Sequence, residues 1–267
     1  MTPGQGLRRR ESFFVAATLC LLTLFAWSYT IYEARRLNTT GVCDCMRMKI
    51  AGPDISDWPP ATLLPLFFMW VVMMTAMMLP SAMPMILTFA AVSRGRRRLG
   101  HPYIHVSIFL LGYLAIWSFF SALAALGQWL LHRHALLSQS MVTTSAWLSG
   151  ILLLAAGAFQ FTALKQACLK HCRGPLEFIM TRWREGQGGA LRMGLEHGAF
   201  CAGCCWALMG LLFVTGVMNI VWIVALTLLV CIEKMLPARI QMRLATGVML
   251  LAAGSVVIVR QLSNVSW

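Results

Sequence analysis

Residues 63–92 read LLPLFFMWVVMMTAMMLPSAMPMILTFAAV, thirty residues without one charged side chain. A helix needs about 20 predominantly apolar residues to cross the hydrocarbon core of a bilayer, and this stretch exceeds that length. It predicts a transmembrane helix, and the rest of the chain can be read outward from it. Approximate apolar segments recur at 13–32, 104–131, 145–165, 193–216, 218–237 and 243–260, separated by short polar stretches rich in arginine. The expectation is an all-α, polytopic transmembrane helical bundle of about seven spans.

Composition agrees. Of 267 residues, 59% are hydrophobic and 12% charged, with a mean hydropathy of +0.72. A soluble domain carries roughly twice that charged fraction, so a water-soluble globule is excluded. The formal net charge of +13 would suggest nucleic acid in a soluble protein. Here the basic residues sit in connecting loops, where they orient the chain in its lipid bilayer, and no nucleic-acid partner is expected. With alternating loops, one side receives sixteen Lys and Arg, including Arg8–Arg10, Arg94, Arg96–Arg98, Lys165 and Lys234, and the other six, including Arg35, Arg36, Arg133 and Arg260. The bias predicts the N-terminus inside and the C-terminus outside. Residues 1–62 then comprise a first, uncleaved helix and an outside loop, 63–260 a transmembrane core, and 261–267 a short tail.

Nine cysteines and eighteen methionines stand out in such a chain. In the fifth segment, Glu196-His197 is followed by Cys201, Cys204 and Cys205. At about 100° per residue, Cys201 lies about 40° from His197, Cys204 about 20° to its other side and Cys205 about 80° away. Thiolate and imidazole together favour copper(I) or zinc over hard cations. The alternative is that these cysteines are small residues used for packing, helped by Gly198, Gly203 and Gly210.

The second segment carries Met69, Met73 and Met77 on a stripe with Pro80 and Pro84, while Met74, Met78, Ser81 and Met85 cover much of the opposite side. Thioethers bind copper(I) well and zinc poorly, although methionine is also a flexible core filler. Each proline removes a backbone donor, so a kink or break is expected at Pro80 to Pro84, bordering the site. In the sixth segment, Glu233 and Lys234 lie deep in an apolar helix, where charge is costly. Glu233 is expected to face the bundle, and Glu196 is the expected acidic neighbour of this pair. From 1.5 Å per residue, Met77, Met78, Cys201, Cys204, Cys205, Cys231 and Glu233 fall within roughly 8 Å of the bilayer centre. One intramembrane site shared by the second, fifth and sixth segments follows, with Met73, Met77, Met78, Glu196, His197, Cys201, Cys204, Cys205 and Glu233 as candidate ligands. Two weaker candidates are Cys43 with Cys45 in the outside loop and Cys168, His171 and Cys172 in an inner turn.

In order along the chain, Met77-Met78-Leu79-Pro80-Ser81, Cys168-Leu169-x-x-Cys172-Arg173-x-Pro175, Glu196-His197 with Cys201-x-Gly203-Cys204-Cys205-Trp206, Gly216-x-Met218-Asn219 and Glu233-Lys234-x-x-Pro237 form a joint pattern. It resembles a bacterial family of predicted metal-binding integral membrane proteins, long catalogued as a domain of unknown function and sometimes labelled copper chaperones. The resemblance covers about residues 58–260, leaving out the first helix and Cys43-Asp44-Cys45. It implies a multi-pass protein of the bacterial inner membrane that handles metal, with copper the favoured ion; the thiolate and imidazole chemistry leaves zinc as the alternative.

The leading functional expectation is a protein that holds copper(I) and passes it to, or takes it from, a protein outside the cytoplasm. No phosphate loop or nucleotide motif is present, and no nucleophile stands with a partner base, which disfavours ATP-driven pumping and an enzyme generally. A secondary metal transporter is one alternative. Another is a membrane thiol–disulfide redox enzyme built on Cys201-Ala-Gly-Cys204, though a hydrocarbon-buried helix face opposes the charge separation that thiolate attack needs.

Overall fold

A computed structural model of the chain describes residues 3–48, 59–100, 104–133, 145–235 and 242–265, with the backbone alone at 3–12, 37–48, 98 and 264–265. Among the described residues there is no strand. The helices are α1 (Pro3–Met48), α2 (Leu63–Arg98), α3 (Val106–Arg133), α4 (Ala146–Phe159), α5 (Ala163–Arg173), α6 (Pro175–Arg182), α7 (Gly186–Gly210), α8 (Leu212–Thr215), α9 (Ile220–Met235) and α10 (Met242–Val265).

Five stretches among them are long and apolar enough to cross a membrane: Phe13–Arg36, Pro60–Arg97, Val106–Arg133, Gly186–Thr215 and Met242–Ser263. The bent pair α4–α5 brings the number to six if it counts as one span. The expected seven is not reached on length and composition. The sixth apolar segment forms α9, whose 16 residues extend about 24 Å at 1.5 Å per residue, short of a hydrocarbon core of about 30 Å.

The fourth apolar segment was expected to run unbroken through residue 165. Instead the chain turns by 64° between α4 and α5. The Thr162 hydroxyl accepts a hydrogen bond from the Lys165 amide at 3.3 Å, the N-cap arrangement that starts a new helix. The new helix is amphipathic. Lys165, Cys168 and Leu169 are buried and Cys172 half-buried, a stripe at i, i+3, i+4 and i+7 that faces the bundle. At the next hairpin, Gly216 takes φ 98° and the Asn219 side chain accepts from the Val221 amide at 3.1 Å. The turn is tight, and α9 packs chiefly on α2 rather than on α7, the helix that precedes the hairpin.

Helix α2 is central, lying between α1 and α3 and touching α6 and α9. Met73, Met74, Met77 and Met78 are all fully buried, as expected of a helix that is apolar all round. It is not broken at its prolines: the helix continues through Pro80 and Pro84. Hydroxyls gather at nearby carbonyls, with Ser81 Oγ donating to Met78 O at 2.8 Å, Tyr113 OH to the same oxygen at 3.2 Å and Thr88 Oγ1 to Pro84 O at 2.7 Å. These bonds fall on Met78 O and Pro84 O, not on Ala76 O and Pro80 O, the carbonyls that the two prolines leave without an amide donor. Pro80 is half-buried, but Pro84 is exposed on the outer face, so it does not line an internal site as expected.

Helices α3 and α7 form the most extensive contact in the bundle. They approach at Gly112 and Gly194, where an added Cβ on Gly194 would run into the Phe109 carbonyl and sit 3.2 Å from the Gly112 Cα. Small residues that admit close backbone approach are the usual basis of helix packing in lipid. Helices α4 and α10 meet in the same way, and a Cβ on Gly157 would sit 2.9 Å from the Leu251 amide nitrogen.

Candidate metal centre

The stripe anticipated on the fifth segment lies on α7. Its His197, Cys201, Cys204 and Cys205 are all buried, consistent with one face of a helix turned inward. Their polar atoms then diverge. Cys201 Sγ lies 3.0 Å from Lys234 Nζ of α9 and 3.2 Å from the Tyr113 hydroxyl of α3. The Cys204 and Cys205 thiols donate to the Cys201 carbonyl at 3.1 and 2.9 Å. Cys205 Sγ also lies 3.8 Å from Met78 Sδ of α2. The two thiols of the C-x-x-C pair therefore point to different partners.

Helix α5 reaches this cluster as well. Cys172 is in side-chain contact with Cys204, and Cys168 Sγ sits 2.9 Å from where a Cβ on Gly203 would be. The absent side chain of Gly203 thus admits a thiol, and Gly198 likewise admits Ile116. Gly210 has nothing within 4 Å. Cys168 and Cys172, expected in a separate inner turn, join the central cluster. His171 does not: its ring packs at 4.3 Å on Phe200. It lines an open cleft of about 630 Å³ together with Glu177, Arg182, Arg184 and Glu196.

His197 is enclosed by aromatic rings, with centroids of Tyr113, Phe178 and Phe109 at 5.6, 5.6 and 6.1 Å. Its Nδ1 is buried without a hydrogen-bond partner, which leaves a nitrogen lone pair or N–H uncommitted. On α2, Met78 Sδ meets the Cys205 thiol and Ser81 Oγ accepts from Lys234, while Met73 and Met77 are fully enclosed in the same core. Among the described residues, no group of three or more His, Cys, Asp or Glu side chains is arranged to hold a metal ion. Cys43 and Cys45 lie outside the residues whose side chains are described.

The acidic residues depart from expectation. Glu196 does not meet Lys234. Five residues before Cys201, it is rotated by about 140° from that thiol, and its carboxylate pairs with Arg182 at 3.2 Å, Arg192 at 3.3 Å and Arg184 at 3.7 Å. Glu233 faces the bundle as anticipated, but its partner is Lys165 Nζ of α5 at 2.7 Å. Arg173 Nε donates to the Glu233 carbonyl at 2.8 Å. Lys234 instead donates to Ser81 Oγ and Cys201 Sγ, each at 3.0 Å. Removing Lys165 and Lys234 from the loop charges leaves the basic asymmetry in the same direction.

Sequence reasoning missed Lys165, Ser81 and Tyr113. Lys165 carried a legible signal, because a buried acid demands a cation and the α5 stripe begins at that lysine. For Tyr113, in an unbroken apolar segment, no local signal exists.

Apolar helices of membrane-spanning length around an interior lined with thiols and a thioether define an all-α protein that fits a membrane location. Residues 67–257 match the family model PpoB2, described as a copper chaperone, and the chain belongs to that family. The family name associates it with copper. No curated protein and no solved structure matches the chain.

Proposed function

We propose that this chain is a bacterial inner-membrane protein that holds copper(I) among sulfur ligands inside the bilayer and exchanges it with a protein outside the cytoplasm. The observation that carries the reading is the convergence of sulfur from separate helices: Cys201, Cys204 and Cys205 from α7, Met78 from α2 and Cys172 from α5. The 3.8 Å between Cys205 Sγ and Met78 Sδ is about the span of two sulfurs each bonded at about 2.3 Å to a shared soft cation, taking the zinc–thiolate length as a guide. Thioether and thiolate together select copper(I), since a thioether adds little to zinc binding. His197, with its uncommitted nitrogen, completes the set from the same helix.

The test is metal analysis of the protein purified under reducing conditions, with copper and zinc measured together. Cys201→Ser and Cys204→Ser should each abolish copper retention, because a hydroxyl is a poor copper(I) ligand, while the near-equal side-chain size preserves folding. Variants that keep the wild-type copper content would make the cysteines packing residues and end the proposal.

The orientation we assign is N-terminus inside and C-terminus outside with seven spans, supported by the basic asymmetry of the loops. In that arrangement α9 crosses as a short span against α2. A reporter fused after Trp267 should be active only outside the cytoplasm. Activity inside the cytoplasm would reject both the count and the orientation.

A further inference from the structure

The interior carries a charge that a sulfur site alone does not explain. Among the described residues, the buried side chains with a formal charge are Lys165, Glu233 and Lys234, 0%, 3% and 6% exposed. Lys165 and Glu233 neutralise each other at 2.7 Å. Lys234 is left as one positive charge in excess. The groups around it come from five helices: Ser81 of α2, Tyr113 of α3, Cys172 of α5, His197, Cys201, Cys204 and Cys205 of α7, and Cys231 and Glu233 of its own α9, the Glu233 carboxylate being turned to Lys165. Arg173 is half-buried and donates to the Glu233 carbonyl, so it adds positive charge and no negative charge. A buried ion without a counter-ion is heavily penalised, yet this one is held 3.0 Å from the Cys201 sulfur.

We propose that Lys234 is the built-in countercharge of a copper(I) bis-thiolate formed by Cys201 and one further α7 cysteine, and that it thereby selects a monovalent over a divalent ion. The inference rests on the copper reading above. Starting from two thiols, binding breaks two S–H bonds, forms two copper–sulfur bonds, releases two protons and moves no electron. One copper(I) and two thiolates carry a net charge of −1, which the ammonium cancels. A divalent ion on the same two thiolates is already neutral, so the ammonium would remain unpaired in a medium that punishes isolated charge. Lys234 touches a proposed ligand and acts through it, as a positioning and selectivity residue.

The experiment uses the full chain in detergent under reducing conditions. Copper(I) affinity is read by competition with a copper(I)-chelating dye, and cadmium(II) affinity by the ultraviolet absorption of cadmium–thiolate bonds. Lys234→Met should weaken copper(I) binding at least tenfold and leave cadmium binding unchanged or tighter, so that the ratio of the two affinities falls at least tenfold. Lys234→Arg, which keeps the charge, should hold that ratio within about threefold of wild type. Lys234→Gln keeps a polar contact to Ser81 without the charge and should behave as the Met variant does, which guards against misfolding of the latter. A uniform loss of both metals in the Met and Gln variants, or an unchanged ratio, would show that Lys234 only supports packing and would overturn the assignment while leaving the copper site standing. If the wild-type chain takes up no copper(I), the copper reading fails and this inference falls with it.

Discussion

Glu233→Ala should destabilise the detergent-solubilised protein by about 3–5 kcal/mol, the usual cost of removing one member of a buried ion pair. The Lys165 ammonium is wholly enclosed and would be left without its partner, in an interior that also holds the Lys234 ammonium. Lys165→Met should cost less. The carboxylate it leaves behind retains Lys234 as its sequence neighbour, and Arg173 is already bonded to the Glu233 carbonyl. The double variant Lys165→Met with Glu233→Leu should recover most of the loss, because a well-packed apolar pair is often as stable as the ion pair it replaces. Thermal unfolding followed by intrinsic tryptophan fluorescence reads all three. A Glu233→Ala protein as stable as wild type would mean that the pair contributes nothing to holding α5 on α9.

Gly194→Leu is expected to open the α3–α7 contact, with a loss of about 1–3 kcal/mol or more. The obstacle is backbone, since the new Cβ would collide with the Phe109 carbonyl, and no side-chain rotation relieves that. Because α3 supplies Tyr113 and α7 supplies Cys201, the same change should disturb the contact between phenol and thiol. Gly127, on α3 with nothing within 4 Å of an added Cβ, provides the control. Gly127→Ala should be neutral or stabilising by about 0.5–1 kcal/mol through helix propensity. If the two substitutions gave the same melting temperature, the close approach of α3 and α7 would be unimportant for stability.

Much of the scaffold is legible before folding because helix formation in an apolar setting is a local matter. Thirty uncharged residues at 63–92 can satisfy their backbone hydrogen bonds only within the segment, and α2 spans them. The turn at Gly216 to Asn219 is equally local, set by a glycine that takes positive φ and an asparagine that caps the next helix. The break at Thr162 was locally encoded too, in a threonine N-cap followed by an amphipathic run, but the apolar residues ahead of it masked the signal. The inward face of α7 follows from the 100° rotation per residue, which is why His197, Cys201, Cys204 and Cys205 were identified as one buried stripe.

The amino-acid sequence by itself thus determined an all-α, membrane-compatible chain, a sulfur-rich stripe on α7 and the need of Glu233 for a partner. Only the tertiary structure decided which atoms meet. Lys165 and Glu233 are 68 residues apart, and Lys234 and Cys201 are 33. Met78 finds Cys205 across 127 residues, a pairing that nothing in the local sequence assigns to Met78 over the chemically identical Met77 one position earlier. Helical periodicity states which side chains share a face of one helix, but the facing helix and its rotation are set by the packing of the whole bundle. In a low-dielectric interior that packing assigns every buried charge its partner, so Glu196 pairs with surface arginines and the ammonium of Lys234 is left beside a thiol.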